Sequence, residues 1–159
     1  MEIVDAYAHC GIRKYEPIEK LRRVMAVSGV KRAVLAQHLG EFDNSYIGEI
    51  VAADRKHFAG VCMVDHTSPN AIAALETLST SGQFQGVRFT ADSIQGGLDC
   101  WKVTVDLGMI IVLYVGSEII NVKHTIDRFL NSCPQCKMVV THLGTPRAGQ
   151  DGAFDNYED

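Results

Sequence analysis

Apolar runs and amphipathic stretches alternate along this chain with a regularity that leaves few folds open. Six runs rich in Val, Ile, Leu, Ala and Met occupy positions 2–9, 32–38, 58–65, 86–90, 109–115 and 137–142. Helical patterns separate them. Ile18, Leu21 and Met25 form a stripe between Pro17 and Gly29, residues suited to a helix start and to the left-handed position after a helix end. Asp43 stands where it can cap a second helix carrying Ile47, Ile50 and Val51. Ser68-Pro69 opens a third with Ile72, Leu75 and Leu78, and Leu98, Trp101 and Val105 mark a fourth stopped by Gly108. Ser117 precedes a fifth with Ile119, Val122, Ile126 and Phe129. Strands that are apolar on both faces are those of a parallel sheet covered by helices.

The unit repeats at roughly 25 residues with no linker or low-complexity tract, so the reading is one α/β domain over 1–159. A doubly wound open sheet and a (β/α)8 barrel both accommodate the pattern. The glycine-rich nucleotide turn expected of the first is missing, since His9-Cys10-Gly11-Ile12-Arg13 is not GxGxxG. The second places polar residues at the C-terminal ends of several strands, as this chain does. A barrel takes about 200 residues or more. The expectation is therefore a partial (β/α)8 TIM barrel of about six βα units, its C-terminal part missing.

Charge and composition exclude several classes. A formal charge of −4 without a Lys/Arg run argues against a nucleic-acid partner. No run of about 18 apolar residues is present to span a membrane, and no signal segment is visible, so a cytoplasmic protein is expected. Five scattered cysteines read as reduced thiols. Cys133-Pro134-Gln135-Cys136 follows a helix and precedes a strand, the reverse of a redox motif, and is read as a plain loop.

The strand ends supply Tyr7 and His9, Gln37 and His38, Asp65 and His66, Arg88, Tyr114 and His142. In a barrel these share one mouth. Asp5, Tyr7 and His9 alternate onto one face of the first strand. Arg88 lies among apolar residues, where an unpaired guanidinium is costly; it suits either a substrate carboxylate or an internal acid. His9 and His142, each ending a strand, suit proton transfer or carbonyl polarisation. Asp65 is as well placed to cap a turn as to bind substrate. Tyr114 fits core or site, and His38, His66, His57 and His124 fit exposed positions.

Several segments in order resemble the amidohydrolase superfamily: Asp5-Ala6-Tyr7-Ala8-His9, Gly29-Val30-Lys31-Arg32-Ala33-Val34-Leu35, Asp43-Asn44-Ser45-Tyr46, Phe58-Ala59-Gly60-Val61 with Asp65, Gly86-Val87-Arg88, and His142-Leu143-Gly144-Thr145-Pro146. The similarity is to the amidohydrolase-related family, in its branch of dicarboxylate and fuconolactonase-like lactonases. It implies a hydrolase, lactonase-like, acting on a carboxylated small molecule, in which His9, His142 and Arg88 would fit the substrate-binding and polarising histidines and arginine. With the strand-end positions, His9 and His142 are the expected catalytic residues and Arg88, Tyr7, Gln37, Asp65 and Tyr114 the expected substrate contacts. Metal-binding members of the family use a strand-one His-x-His and histidines on strands five and six. Here Tyr7 replaces the first histidine and Tyr114 stands on strand five, so no metal or other cofactor is expected, zinc being the alternative. A metal-dependent decarboxylase and a truncated, non-catalytic homologue are the competing functions. The family's water-activating acid lies on an eighth strand, beyond Asp159, which makes activity of the 159-residue chain alone doubtful. A homo-oligomer is a further expectation.

Overall fold

The computed structural model describes residues 2–116 and 119–144. Six strands, β1 (Ile3–Ala8), β2 (Val30–Ala36), β3 (Phe58–Cys62), β4 (Phe84–Thr90), β5 (Ile110–Tyr114) and β6 (Met138–Val140), alternate with five helices, α1 (Ile18–Ser28), α2 (Ser45–Ala53), α3 (Ala71–Thr80), α4 (Leu98–Asp106) and α5 (Lys123–Ser132). Every neighbouring pair of strands is parallel, and their order in the sheet is their order in the chain. A doubly wound sheet reverses its strand order at a switch point; this one never reverses. It is a curled half-barrel, the partial TIM barrel expected.

Two apolar layers follow from the period-2 alternation of the strands. Outward-facing Ala33, Leu35, Phe58, Cys62, Val87, Phe89, Ile111 and Leu113 pack with the helices in one large core. Trp101 of α4 is its centre, stacked on Phe89 at 5.3 Å and edge-on to Phe129 at 5.2 Å. Its indole N–H donates to the Ser93 hydroxyl at 3.0 Å, so the one polar atom of the ring is satisfied. The inward faces meet in a smaller cluster of Ala36, Val61 and Val112 with Tyr7, Val34 and Ile110. Below it lies a cavity of about 270 Å³ lined by Tyr7, Val34, Val61, Gly86, Val112 and Val139.

Local chemistry places most boundaries. Gly29 ends α1 with φ 72° and its N–H bonded to the Met25 carbonyl, a position where any Cβ is strained. Gly60 lets β3 approach the next unit, because a Cβ there would lie 2.6 Å from the Gln83 carbonyl oxygen. Asp43 accepts from the Ser45 N–H at 3.0 Å, as a capping residue does. The N-cap position itself is Asn44, whose side chain instead pairs in both directions with the Met63 backbone at 2.9 Å. The third helix starts at Ala71, with the Ser68–Asn70 turn before it. Ser117 lies outside the described residues, as do Thr145 and Pro146.

The Cys133–Cys136 segment is the loop between α5 and β6, closed by the Cys136 N–H on the Cys133 carbonyl at 2.9 Å. All five cysteines are free, and burial pushes Cys10 up to about 11 and Cys62 up to about 12, away from thiolate chemistry. No helix among the described residues is long and apolar enough to cross a membrane.

Candidate active site

The C-terminal ends of β1, β4 and β5 bring Tyr7, Arg88 and Tyr114 onto the inner face, and the turn after β6 adds His142. Arg88 is the centre. It is 4% exposed, its guanidinium carbon lies 5.4 Å from the Tyr7 ring centre and 5.6 Å from that of Tyr114, and its Nη1 donates to the Gln37 carbonyl at 2.7 Å. Its Nε–H is buried without a partner. No carboxylate pairs with it among the described residues. Burial lowers its pKa from the ordinary arginine value, opposed by the surrounding phenols, and a guanidinium remains a cation nonetheless. The guanidinium is thus buried with hydrogen-bond capacity to spare.

Tyr7 meets both imidazoles edge-on, His9 at 4.9 Å and His142 at 5.6 Å between ring centres. Its hydroxyl is buried and unpartnered. The nearby Thr141 hydroxyl gives its own proton to the Leu113 carbonyl at 3.1 Å and makes no bond of good geometry to the phenol. Burial raises the Tyr7 pKa above its ordinary value; Arg88 and Thr141 pull it down less.

His9 lies just past β1 with Nδ1 2.6 Å from the Ala36 carbonyl oxygen. A carbonyl only accepts, so Nδ1 carries the hydrogen, and the neutral ring holds its lone pair at Nε2. Burial lowers the His9 pKa; the Ala36 bond opposes this, while Arg88, His38 and His142 add to it. At neutral pH the ring can thus accept a proton at Nε2, which suits the proton-transfer role of the two expected for it rather than carbonyl polarisation.

His142 was expected at a strand end, but β6 stops at Val140. The imidazole projects from a left-handed turn in which His142 and Leu143 have φ of 55° and 53°. Thr141 turns the chain out of the ladder by binding back to Leu113. The turn sets the ring edge-on to Tyr114 as well as Tyr7, at 5.8 Å. Two adjacent non-glycine residues in this region are costly, and such strain concentrates at functional positions.

Gln37 and Asp65 have other employment. The Gln37 side chain bonds to the Asp43 carbonyl at 2.7 Å and the His38 N–H at 2.9 Å, bracing the loop after β2. Only its backbone carbonyl enters the site, by holding Arg88. Asp65 caps a turn, accepting from the Thr67 N–H and hydroxyl at 3.0 and 2.6 Å. Asp5 turns back to accept from the Tyr7 N–H at 3.0 Å, beside an irregularity in the β1–β2 register, so it does not join Tyr7 and His9.

Tyr15 is the residue that sequence reasoning missed. It stacks on His9 at 4.7 Å with rings 17° apart and tilts against His38 at 5.6 Å. It belongs to the irregular loop after β1, where no periodicity singles it out. His38 thereby joins the cluster's rim rather than solvent alone. His57 pairs with Asp54 at 2.7 Å, just past the end of α2, and His124 is exposed on α5.

The donors among the described residues do not make up the ligand set of a zinc site. No group of three His, Cys, Asp or Glu able to hold a metal occurs among the described residues. A catalytic zinc takes three protein ligands; His9 and His142 are two, and burial holds the proton on the Tyr7 phenol.

Comparison with known proteins agrees with this architecture. No curated protein matches the sequence. Among solved structures, a probable 2-pyrone-4,6-dicarboxylic acid hydrolase from Acinetobacter baumannii with citric acid bound superposes with a TM-score of 0.71 at 17% identity, over 91% of this chain and 59% of its own. A TatD homologue from Escherichia coli K12 gives 0.62 at 11% identity, over 84% of this chain and 57% of its own. At these identities the likeness is one of fold, and the chain spans less than two thirds of either structure. The amidohydrolase family profile matches residues 2–159, and the chain belongs to that family.

Proposed function

We propose that this chain supplies the anion-holding part of a hydrolase that opens a lactone or a related C–O or C–N bond in a carboxylated small molecule. The observation that carries the reading is Arg88, buried in the half-barrel mouth with no acid beside it. A cation kept there at such cost suits a substrate carboxylate, and the fork of N–H donors gives that anion a fixed direction. A hollow of about 450 Å³ lined by Thr90, Asp92, Gln95, Tyr114, Val122 and Thr125 adjoins the site and has room for the rest of a small molecule. The likeness in fold to a probable pyrone-dicarboxylic acid hydrolase holding citric acid agrees with a ligand of this class.

In this reading the Nε2 lone pair of His9 takes a proton from water as the water oxygen bonds to the carbonyl carbon. The C–O or C–N bond to the leaving group then breaks, and the same proton passes to that group. His142, in the strained turn opposite, faces the carbonyl oxygen. The reading is metal-free: the donor set that is present does not fit a zinc site, and no step is assigned to one. It is tested by screening carboxylated lactones with the wild type and His9→Gln. Turnover that falls about a hundredfold or more with little change in KM supports the base assignment. Equal turnover refutes it.

A further inference from the structure

Cys10, Cys62 and Cys100 are 2, 0 and 4% exposed, after β1, in β3 and in α4. The other two cysteines stand at the two ends of one turn. Cys133 ends α5, its N–H bonded to the Phe129 and Leu130 carbonyls at 2.9 and 3.3 Å, and its own carbonyl accepts from the Cys136 N–H at 2.9 Å. A bond from the first to the fourth residue holds the outer Cα atoms of a turn within about 7 Å, and disulfides span about 4.4–6.8 Å between Cα atoms. Pro134, with its fixed φ, holds the turn in shape. Both thiols are free, Cys133 buried and Cys136 half-buried, and both side chains pack on the same core. From this geometry we infer that Cys133 and Cys136 form a thiol modification site, a pair that a small-molecule disulfide such as oxidised glutathione closes into an S–S bond across the turn.

The more exposed thiol, Cys136, attacks first. Its thiolate bonds to one glutathione sulfur, the glutathione S–S bond breaks, and one glutathione leaves as a thiolate. The Cys133 thiolate then attacks the Cys136 sulfur and expels the second glutathione. Two protein thiols lose two protons and two electrons, and one glutathione disulfide becomes two thiols. Burial, with the Cys133 thiol adding to it, pushes the Cys136 thiol up, so exchange is slow at neutral pH and the pair responds to its surroundings rather than catalysing exchange. The turn leads directly into β6, whose pairing opens with the Ile111 N–H on the Lys137 carbonyl at 2.9 Å and lasts three residues. Thr141 and the left-handed His142 turn follow. Closing the ring therefore fixes the entry to the strand that presents His142. This inference goes beyond the proposed function and does not depend on it.

The full chain is equilibrated with millimolar oxidised or reduced glutathione, quenched with acid, alkylated in denaturant and cleaved with trypsin. The peptide 129–137 carries these two cysteines and no other. After oxidation it is expected unalkylated and two hydrogens lighter than the dithiol, and dithiothreitol restores it, while Cys10, Cys62 and Cys100 are alkylated throughout. The oxidised chain should unfold about 4–7 °C higher, as expected for so small a ring. At equal glutathione poise, the ratio of closed to open pair should be about twentyfold greater in the folded chain than in urea. Cys133→Ser should trap one glutathione on Cys136 and show no rise in midpoint on oxidation. A peptide that stays a dithiol, carries two glutathiones or closes equally well in urea overturns the site, as does a midpoint that falls on closure. If Cys133→Ser does not fold, the wild-type peptide masses in buffer and in urea decide the matter alone.

Discussion

His9 Nδ1 lies 2.6 Å from the Ala36 carbonyl oxygen, a bond between the end of β1 and the end of β2. It fixes the tautomer, aims the ring, and leaves Nε2 as the free nitrogen. A backbone carbonyl behind an imidazole does this wherever histidine must accept at its far nitrogen. Tyr15 stacked on the same ring at 4.7 Å limits its rotation further.

The lowered His9 pKa has a signed consequence for stability. The folded ring binds a proton less readily than the unfolded one, whose value is the ordinary 6.5. Its contribution is therefore complete above about pH 6.5 and is lost as the pH falls through the lower folded value. Urea unfolding from pH 7.5 to 5 should show the wild type losing stability faster than His9→Gln across that window. Parallel curves would contradict the depressed value.

The turn after β6 carries removable strain. Leu143 has φ 53° and is 86% exposed, and the left-handed region costs a non-glycine residue about 1–2 kcal/mol. Leu143→Gly relieves that at the expense of about 0.5–1 kcal/mol of extra chain entropy. A net gain of about 0.5–1 kcal/mol in urea unfolding is expected.

Two glycines should behave oppositely. In Gly60→Ala the new Cβ meets the Gln83 carbonyl oxygen at 2.6 Å and Phe84 Cδ1 at 2.8 Å, and overpacking of this kind costs about 1–3 kcal/mol. Gly96 has nothing within 4 Å of its added Cβ, so Gly96→Ala should change stability by about 0.5 kcal/mol or less. Thermal unfolding of the two variants, side by side, checks the packing of β3 against the start of β4.

Among the described residues, the outer edges of β1 and β6 pair with no strand, and Ile3, Val4 and Val139 are about half exposed there, at 46, 49 and 50%. Such edges promote association. Light scattering should show a concentration-dependent mass that Val4→Lys with Val139→Lys reduces. A wild type that stays monomeric at high concentration would show that the edges are tolerated.

The barrel pattern was legible because its cause is local. Apolar runs and helix stripes recur with fixed periods, and Gly29 and Gly108 act where they stand, both at positive φ. Arg88 was legible too, since a charge among Gly86, Val87 and Phe89 demands an explanation from sequence alone. The local bonds of Gln37, Asp65 and Asp5 were less legible, because short polar side chains at strand ends bond their own loops as readily as a ligand, a choice made by backbone geometry. Tyr15 was invisible because loops lack periodicity, and the left-handed turn at His142 has no glycine or asparagine to announce it until Gly144.

The most direct test of the account is the response of Arg88 variants to the charge of the substrate. Hydrolysis rates are measured for a lactone bearing a carboxylate and for its methyl ester, with wild type, Arg88→Lys and Arg88→Ala. Removing a charge-assisted fork costs about 2–3 kcal/mol, so Arg88→Ala should raise KM for the acid by about 30-fold or more and leave the ester nearly unchanged. Arg88→Lys should recover part of the loss, since an ammonium keeps the charge but lacks the planar fork of parallel donors. Equal kinetics for acid and ester in the wild type, or unchanged KM for the acid in Arg88→Ala, would contradict the central claim and make Arg88 a structural residue.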